Sequence, residues 1–413
     1  MEQDQQFEMV GTFNNKVQQL SIHFIPYLES IRINTSTGQK LFELYFSDED
    51  IQFKWDEQME KLGYMSFVIL RIKMEEFKIL GNHENIQWLF NICKGKFIFL
   101  QNSQNTKRTV LEQNESGIIY KLDDKCHNGF EYYDKILFMK QSKSNQCFCI
   151  PEEIKVLKLV NQIKCPYLMN IETIQYDGHQ FSYCYKKKRL ETLRSLIQGT
   201  PNMKLSQVLE IIRQLLQVTN YFESIKLVHN RLDLDNIHYS KEENVIQITN
   251  FSYSFLEKYQ PINYKGQIIG HASPESFSQT QKITTASNIY QVGIIFYIMV
   301  FGNNPFGNKQ DEIQKQNLMG HFSMPKLNEL KWQNQTKIRQ NIFEMISLMM
   351  SNLPEQRKTS SYYMTSKIFL PFLKQKISKM ELKLNLNDNQ EDDSINEENK
   401  FLNTIYILPT KFK

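Results

Sequence analysis

The sequence of 413 residues lacks the features that mark secreted, zinc-binding or membrane-spanning proteins. Its six cysteines are scattered, with no C-x-x-C pair and no zinc-ligand spacing, which predicts buried thiols in a reducing compartment. The longest apolar run, 292–301, is far shorter than the roughly 20 residues that cross a bilayer. The opening MEQDQQFEMV has no apolar signal core, so we expect a cytoplasmic protein.

An excess of charge is also missing, because 49 Lys and Arg face 45 Asp and Glu, for a net charge of +4. This balance argues against nucleic acid as a partner and gives no general attraction to membranes. The 41% hydrophobic and 23% charged residues are typical of a globular protein, and the length predicts two or three domains.

Composition changes along the chain predict the domain boundaries. Residues 7–100 show short alternating bursts such as KVQQLSIHFI and then the helical pattern HENIQWLFNIC. Residues 101–108 are polar and predict a linker. Residues 109–375 begin with strands and continue with amphipathic helices, which indicates an α+β arrangement. Residues 376–413 predict an acidic, disordered tail with an apolar end.

A motif in the middle of the chain indicates chemistry. The stretch LVHNRLDLDNIHYS matches the pattern H-R-D-L-x-x-x-N from His229 to Asn236, and Asn250, Phe251 and Ser252 match D-F-G. Ser273, Pro274 and Glu275 match A-P-E. On these residues the chain resembles the eukaryotic protein-kinase family. The resemblance implies a two-lobed fold, with a strand-rich small lobe at 109–185 and a helical large lobe at 186–375.

The resemblance also implies a nucleotide site in the small lobe. LEQNESGIIYK is similar to the glycine-rich loop and keeps one glycine, Gly117, while ILFMK supplies Lys140 as the strand lysine. PEEIKVLKLV resembles the helix whose glutamate, Glu153, pairs with that lysine. Asn236 would be the remaining ligand for nucleotide-bound metal.

The departures from the family pattern fall on the catalytic positions. Arg231 replaces the proton-accepting aspartate, and a guanidinium stays protonated and cannot act as a base. Asn250 replaces the metal-binding aspartate and brings no charge to Mg²⁺, while Asp233 places a carboxylate where a lysine would face phosphate. We therefore expect weak ATP binding, no firm Mg²⁺ site and little or no catalysis.

These losses predict a pseudokinase that acts as a signalling scaffold or an allosteric partner of an active kinase or another signalling protein. The alternative interpretation is a weak or atypical Ser/Thr kinase in which Asp233 or Asp235 serves as the base.

Residues implied by the resemblance to hold the fold are retained. His229, Phe251 and Leu157 would stack through the core between the lobes. Glu275 and Arg357 would form a buried ion pair in the large lobe.

The first hundred residues resemble a pleckstrin-homology domain, with Trp88 in its closing helix packed into the open end of a small barrel. The basic residues Lys16, Arg32 and Lys40 are far apart in the sequence, so the resemblance favours a protein-contact role over phosphoinositide binding.

Overall fold

The structure of the protein is a computed structural model. It describes residues 5–13, 16–25, 30–45, 51–55, 66–72, 75–81, 83–93, 97–100, 107–127, 130–138, 150–162, 165–177, 180–188, 190–200, 203–259, 269–278, 281–320, 322, 325 and 336–369. The chain divides into two compact units, residues 1–363 and 364–413, and only 364–369 of the second are described.

Antiparallel strands and one helix form the first part of the chain. The strands are β1 Gln5–Phe13, β2 Lys16–Ile25, β3 Ser30–Thr35, β4 Lys40–Tyr45, β5 Ile51–Trp55, β6 Ser66–Ile72 and β7 Glu75–Gly81. Their order is β4-β3-β2-β1-β7-β6-β5, so the first strand pairs with the last. Helix α1, His83–Cys93, follows β7 and confirms the helix predicted from the apolar spacing.

Helix α1 packs on these strands through its apolar stripe. Ile86, Leu89 and Cys93 are buried in one cluster with strand residues such as Ile22 and Ile31. Trp88 is partly buried against the same cluster. Because the i, i+3 and i+7 positions of a helix share one face, one side of α1 closes this core and the other faces solvent.

The sheet continues beyond this first group of strands. Strand β8, Ile98–Leu100, runs parallel to β5 on one side and to β12, Asn170–Tyr176, on the other. The remaining strands are β9 Arg108–Asn114, β10 Gly117–His127, β11 Phe130–Leu137 and β13 Phe181–Lys188. Across the described residues the order after β5 is β8-β12-β13-β11-β10-β9. The predicted small lobe therefore shares a sheet with the preceding domain through β8.

Helix α2, Glu152–Gln162, lies against this second group of strands. Its buried residues include Glu153, Leu157 and Lys158. The helix begins directly after Pro151, in agreement with the preference for proline at a helix start. It positions the glutamate that the site requires.

The rest of the first unit is helical. The helices are α3 Leu193–Gly199, α4 Leu205–Ser224, α5 Ala286–Phe301, α6 Gln310–Met319, α7 Thr336–Met349 and α8 Ser360–Met364. Short strands accompany them: β14 Glu191–Thr192, β15 Leu227–Val228, β16 Ile237–Ser240, β17 Val245–Ile248 and β18 Phe255–Leu256.

Helix α5 is the centre of this lobe. Its residues from Ser287 to Val300 are buried, and most of them are apolar, as expected for a helix at the centre of a lobe. At Gly293 an added Cβ would lie 2.8 Å from the Cβ of Met349, so glycine allows the close approach of α5 and α7. Gly302 ends α5 in the left-handed conformation, with φ 84°, and its N–H donates to the carbonyl of Ile298. Within the described part of the chain, no helix combines the length and apolar character that crossing a membrane requires.

Candidate active site

The loop from His229 to Asn236 connects β15 to β16 and is held by helix α5. The side-chain oxygen of Asn288 accepts from the backbone N–H of His229 at 3.0 Å, and its amide donates to the carbonyl of Leu227 at 2.9 Å. Gln291 accepts from the N–H of Leu232 at 3.3 Å and donates to the carbonyl of Asn230 at 3.0 Å. Two buried amides thus fix the backbone of the loop.

Aromatic rings pack against His229 at the start of this loop. The ring of His229 lies 4.7 Å from that of Phe251 and 5.8 Å from that of Phe222. Burial lowers the pKa of His229 to about 3, so the imidazole is neutral near pH 7. Leu157 is fully buried on α2.

The side chains that replace the catalytic-loop motif have partners within the protein. The guanidinium of Arg231 lies 3.9 Å above the ring centroid of Tyr253, a cation–π distance. Asp233 is buried and accepts from the backbone N–H of Asp235 at 2.9 Å and of Asn236 at 3.0 Å. Its second oxygen accepts from the side-chain amide of Asn236 at 2.7 Å. Burial raises the pKa of Asp233.

Asp235 is the exposed carboxylate of the loop. Both of its oxygens accept from Arg194, at 2.7 and 2.9 Å, and the two side chains are 57% and 45% exposed. The hydrogen bond from Arg194 lowers the pKa of Asp235. The structure therefore directs Asp233 into the lobe and Asp235 toward a surface arginine.

The segment Asn250–Ser252 lies next to this loop. Asn250 has φ 65°, a left-handed conformation that asparagine adopts more readily than most residues. Its side-chain amide donates to the side-chain oxygen of Asn236 at 3.0 Å. Its oxygen accepts from the hydroxyl of Ser252 at 2.7 Å. The two asparagines predicted at the metal position are thus bonded directly to each other.

Glu153 on α2 pairs with Lys135. The sequence-based prediction that Lys140 is the strand lysine paired with Glu153 was therefore wrong. The Nζ of Lys135 donates to the two oxygens of Glu153 at 2.9 and 3.1 Å and to the hydroxyl of Ser252 at 2.6 Å. Lys140 lies outside the described residues. The physical reason is that β11 ends at Leu137, and the lysine within the strand, opposite α2, is residue 135.

The strand pair β9–β10 forms the predicted glycine-rich loop as a tight hairpin. Asn114 pairs with Gly117, which leaves a two-residue turn, and the oxygen of Asn114 accepts from the N–H of Ser116 at 2.9 Å. The amide of Asn114 donates to Glu112 at 2.7 Å. At Gly117 an added Cβ would lie 2.1 Å from the carbonyl oxygen of Ile136, so the strand contact alone requires this glycine.

The predicted ion pair of the helical lobe is present. Arg357 donates to both oxygens of Glu275, at 2.6 and 2.8 Å, and both side chains are fully buried. Burial opposes ionisation of Glu275, but the hydrogen bonds and charge of Arg357 outweigh it and lower its pKa.

Comparison with known proteins identifies the family. The family model described as protein kinase domain matches residues 105–369, more than half of the chain. The chain belongs to the protein kinase family. Membership implies ATP and Mg²⁺ as ligands of the kinase domain in general.

Curated relatives match at low identity. A calcium and calcium/calmodulin-dependent serine/threonine-protein kinase of Oryza sativa subsp. japonica is 26% identical over 218 residues, which cover 51% of this chain and 41% of that protein. Sperm motility kinase 1 of Mus musculus is 24% identical over 230 residues, covering 55% and 42%. The CaM kinase-like vesicle-associated protein of Danio rerio is 24% identical over 227 residues, covering 52% and 50%. The chain spans half or less of the length of these relatives.

The sequence motifs located most of the site in the kinase domain, and the structure adds three residues that motif reading missed. The motif did not identify Lys135 because YYDK has Tyr133 where V-A-I-K has alanine. Ser252 was placed in the D-F-G match without a role. Gln291 carries no motif signal, and its spacing of three residues from Asn288, which puts both on one helix face, could have indicated it. Among the described residues, no cluster of three or more His, Cys, Asp or Glu could hold a metal ion.

Proposed function

We propose that this kinase domain acts by binding, as a cytoplasmic scaffold or allosteric partner of an active kinase or another signalling protein, with little or no phosphoryl transfer of its own. The observation that carries the proposal is the hydrogen bonding of Lys135. Its Nζ lies within hydrogen-bonding distance of both oxygens of Glu153 and of the hydroxyl of Ser252, and an ammonium group has three N–H donors. These contacts within the protein compete with a phosphate for the donors of Lys135.

The metal position supports the same proposal. Asn250 and Asn236 are neutral amides, and the side-chain oxygen of each accepts a hydrogen bond from within the protein. Mg²⁺ is held by charged or freely available oxygen ligands in near-octahedral geometry. These residues do not fit that requirement as they stand.

The position of the proton acceptor supports it as well. Arg231 cannot accept a proton, and Asp233 is buried with its oxygens bonded to Asp235 and Asn236. Loss of general-base help alone costs about 10²–10⁴ in rate. The relatives whose names include serine/threonine-protein kinase share the fold with this chain, and fold alone does not carry activity.

The test is a transfer assay on the full chain. The protein is incubated with labelled ATP, Mg²⁺ or Mn²⁺ and generic protein substrates, beside Lys135→Met as the matched control. We expect no phosphate incorporation above the Lys135→Met variant. Robust incorporation that Lys135→Met abolishes would overturn the proposal.

A weak or atypical Ser/Thr kinase is the second candidate, and the intact Lys135–Glu153 pair favours it. In that case Asp235 would have to leave Arg194 and accept the proton of an incoming hydroxyl. The same assay with Asp235→Asn decides: transfer that depends on both Lys135 and Asp235 would establish this candidate.

For the first domain we propose a pleckstrin-homology-like module that contacts protein. The proposal is supported by the order of elements, in which seven antiparallel strands are followed by a helix that packs against their apolar core. Of the basic residues, Arg32 and Lys40 both donate to Glu43, at 2.9 and 3.1 Å, which partly neutralises them. We expect no co-sedimentation with phosphatidylcholine vesicles containing phosphatidylserine; binding that weakens as salt rises would contradict this.

A further inference from the structure

Four side chains next to the Lys135–Glu153 pair lie on one face of the sheet. Strands β11 and β13 are antiparallel, with Tyr133 opposite Tyr185 and Lys135 opposite Tyr183. Residues directly opposite each other, and residues two apart on a strand, point to the same face. Tyr133, Tyr183 and Tyr185 therefore share the face on which Lys135 meets α2.

The three tyrosine rings form a continuous layer on this face. The ring centroids of Tyr133 and Tyr185 are 5.4 Å apart and the planes differ by 19°, which is a stacked arrangement. Tyr185 and Tyr183 are 5.8 Å apart. Tyr133 is 8% exposed and Tyr183 is 2% exposed. Tyr185 is partly buried, so two of the three rings are packed as core residues are and the third is partly exposed.

Hydrogen bonds fix the layer at both ends. The hydroxyl of Tyr183 donates to Glu153 at 2.7 Å, the carboxylate that holds Lys135. The hydroxyl of Tyr133 donates to Glu131 at 2.5 Å, and Glu131 also accepts from Lys121 at 2.7 Å. Because each end is anchored to an ion-paired glutamate, rotation of either ring out of the layer would break a charge-assisted hydrogen bond.

The position of Tyr133 relative to Lys135 connects the tyrosine layer to nucleotide binding. In the V-A-I-K strand motif the residue two before the lysine is alanine, and here it is Tyr133. The base and the phosphates of a nucleotide are joined through one ribose, so a nucleotide whose phosphates reach that lysine places its base a short distance from it. Two strand residues span about 6.6 Å, which brings Tyr133 within that distance. Alanine leaves this face open, whereas the buried ring of Tyr133 fills it.

We propose that the stacked rings of Tyr133, Tyr185 and Tyr183 occupy the base-binding part of the cleft, so that the protein's own side chains exclude adenine. The inference deepens the proposed binding function and rests on it. Hydrogen bonds of Tyr183 and Ser252 connect strands β11 and β13, helix α2 and the Asn250–Ser252 segment to one another.

The test uses adenosine, because a nucleoside needs neither metal nor a free donor on Lys135. Binding to the full-length protein is measured by calorimetry and by thermal shift, for the wild type, Tyr133→Ala and Tyr133→Phe. We expect no binding to the wild type and to Tyr133→Phe, which keeps the ring. We expect Tyr133→Ala to bind adenosine with a dissociation constant at least about tenfold below the highest concentration at which the wild type shows no binding, because removal of the ring opens an apolar space.

Two results would overturn the inference: adenosine binding to the wild type with the affinity of Tyr133→Ala, or a folded Tyr133→Ala protein that does not bind. If Tyr133→Ala does not fold, Tyr133→Val, which suits a strand, takes its place under the same criteria. Failure here is distinct from failure of the proposed function. If the wild type binds adenosine but transfers no phosphate, the inference that the tyrosine rings exclude adenine is wrong. The proposal that the kinase domain acts by binding a protein partner then still stands.

Discussion

The ion pairs Lys135–Glu153 and Arg357–Glu275 are alike in burial and differ in what surrounds them. Arg357 has five N–H donors, and both oxygens of Glu275 and the carbonyls of Ala286, Ser351 and Asn352 accept them. This is the satisfaction that a structural ion pair needs, because a buried charge without partners is strongly unfavourable. The Nζ of Lys135 likewise lies within hydrogen-bonding distance of three acceptor atoms, the two oxygens of Glu153 and the hydroxyl of Ser252.

The comparison shows that Lys135, like Arg357, is a buried cation with several acceptors within the protein. One difference remains: the acceptors of Arg357 are the glutamate and backbone carbonyls, whereas one acceptor of Lys135 is the side chain of Ser252. A serine hydroxyl can be removed by one substitution without altering the backbone. A single substitution of Ser252 could therefore remove one acceptor of Lys135, whereas the backbone acceptors of Arg357 cannot be removed in this way.

The largest expected effect is the removal of either cation. We expect Arg357→Met and Lys135→Met each to lower the free energy of unfolding by about 3–5 kcal/mol, because each leaves a buried carboxylate without its partner. Urea denaturation at pH 7 measures both. Arg194→Ala, which breaks an exposed pair with Asp235, is the matched control and should cost at most about 1 kcal/mol. A cost for Lys135→Met as small as this control would break the comparison.

The second prediction compares the hydroxyl groups on the two pairs. Ser287 donates to Glu275 at 2.5 Å and is buried, whereas Ser252 on the cleft pair is partly buried. We expect Ser287→Ala to cost about 1.5–3 kcal/mol, the range for hydrogen bonds to charged groups. Ser252→Ala should cost less, about 0.5–1.5 kcal/mol, because solvent can partly replace its contacts. The reverse order in chemical denaturation would contradict the assignment of Ser252 as the replaceable partner.

The third prediction uses pH to separate the pairs from the buried histidines. Burial lowers the pKa of His229 to about 3 and of His271 to about 4, from 6.5. Below pH 6.5 the unfolded chain binds protons that the folded protein does not, so the free energy of unfolding falls as the pH falls. Each histidine contributes a loss of up to about 1.4 kcal/mol per pH unit until its folded pKa is reached.

Glu275 affects the free energy of unfolding only at lower pH. Its pKa in the folded state lies below 4.5, so its stabilising contribution is lost only as the pH falls below about 4.5. As the pH falls from 6.5 to 4.5, the two histidines should therefore lower the thermal stability, whereas Asp233 and Glu223, whose pKa values are raised by burial, act in the opposite direction at the acidic end. The double variant His229→Gln, His271→Gln should flatten the slope in that window. An unchanged slope would show that other groups govern it.

Much of the fold was predictable because its local signals agree with the packing. The apolar periodicity of HENIQWLFNIC matched α1, the amphipathic pattern expected in the second half of 109–375 matched a helical region, and the apolar run 292–301 lies within α5. The motif residues His229, Phe251 and Glu275 were found in the same way, since each sits in a short pattern whose spacing the loop geometry requires.

The cleft lysine was not predictable with the same certainty. ILFMK matches the apolar character of V-A-I-K better than YYDK does, so the motif pointed to Lys140. Which lysine meets Glu153 depends on where β11 ends and on the register between β11 and β13. Strand register shifts side chains between faces with every residue, and a local motif carries no information about it. The shared strand β8 was missed for the same reason, because parallel pairing has no local sequence signal.

The sequence by itself determined the family, the order of the lobes and the identity of the residues in the loop 229–236 and the segment 250–252, since these follow from motifs whose residues lie close together along the chain. Only the tertiary structure decided the partners of Lys135, the direct bond between Asn236 and Asn250, and the stacking of Tyr133 on Tyr185. Those contacts join residues from separate strands, a helix and two loops. Their geometry depends on packing across the sheet, which no short stretch of sequence encodes.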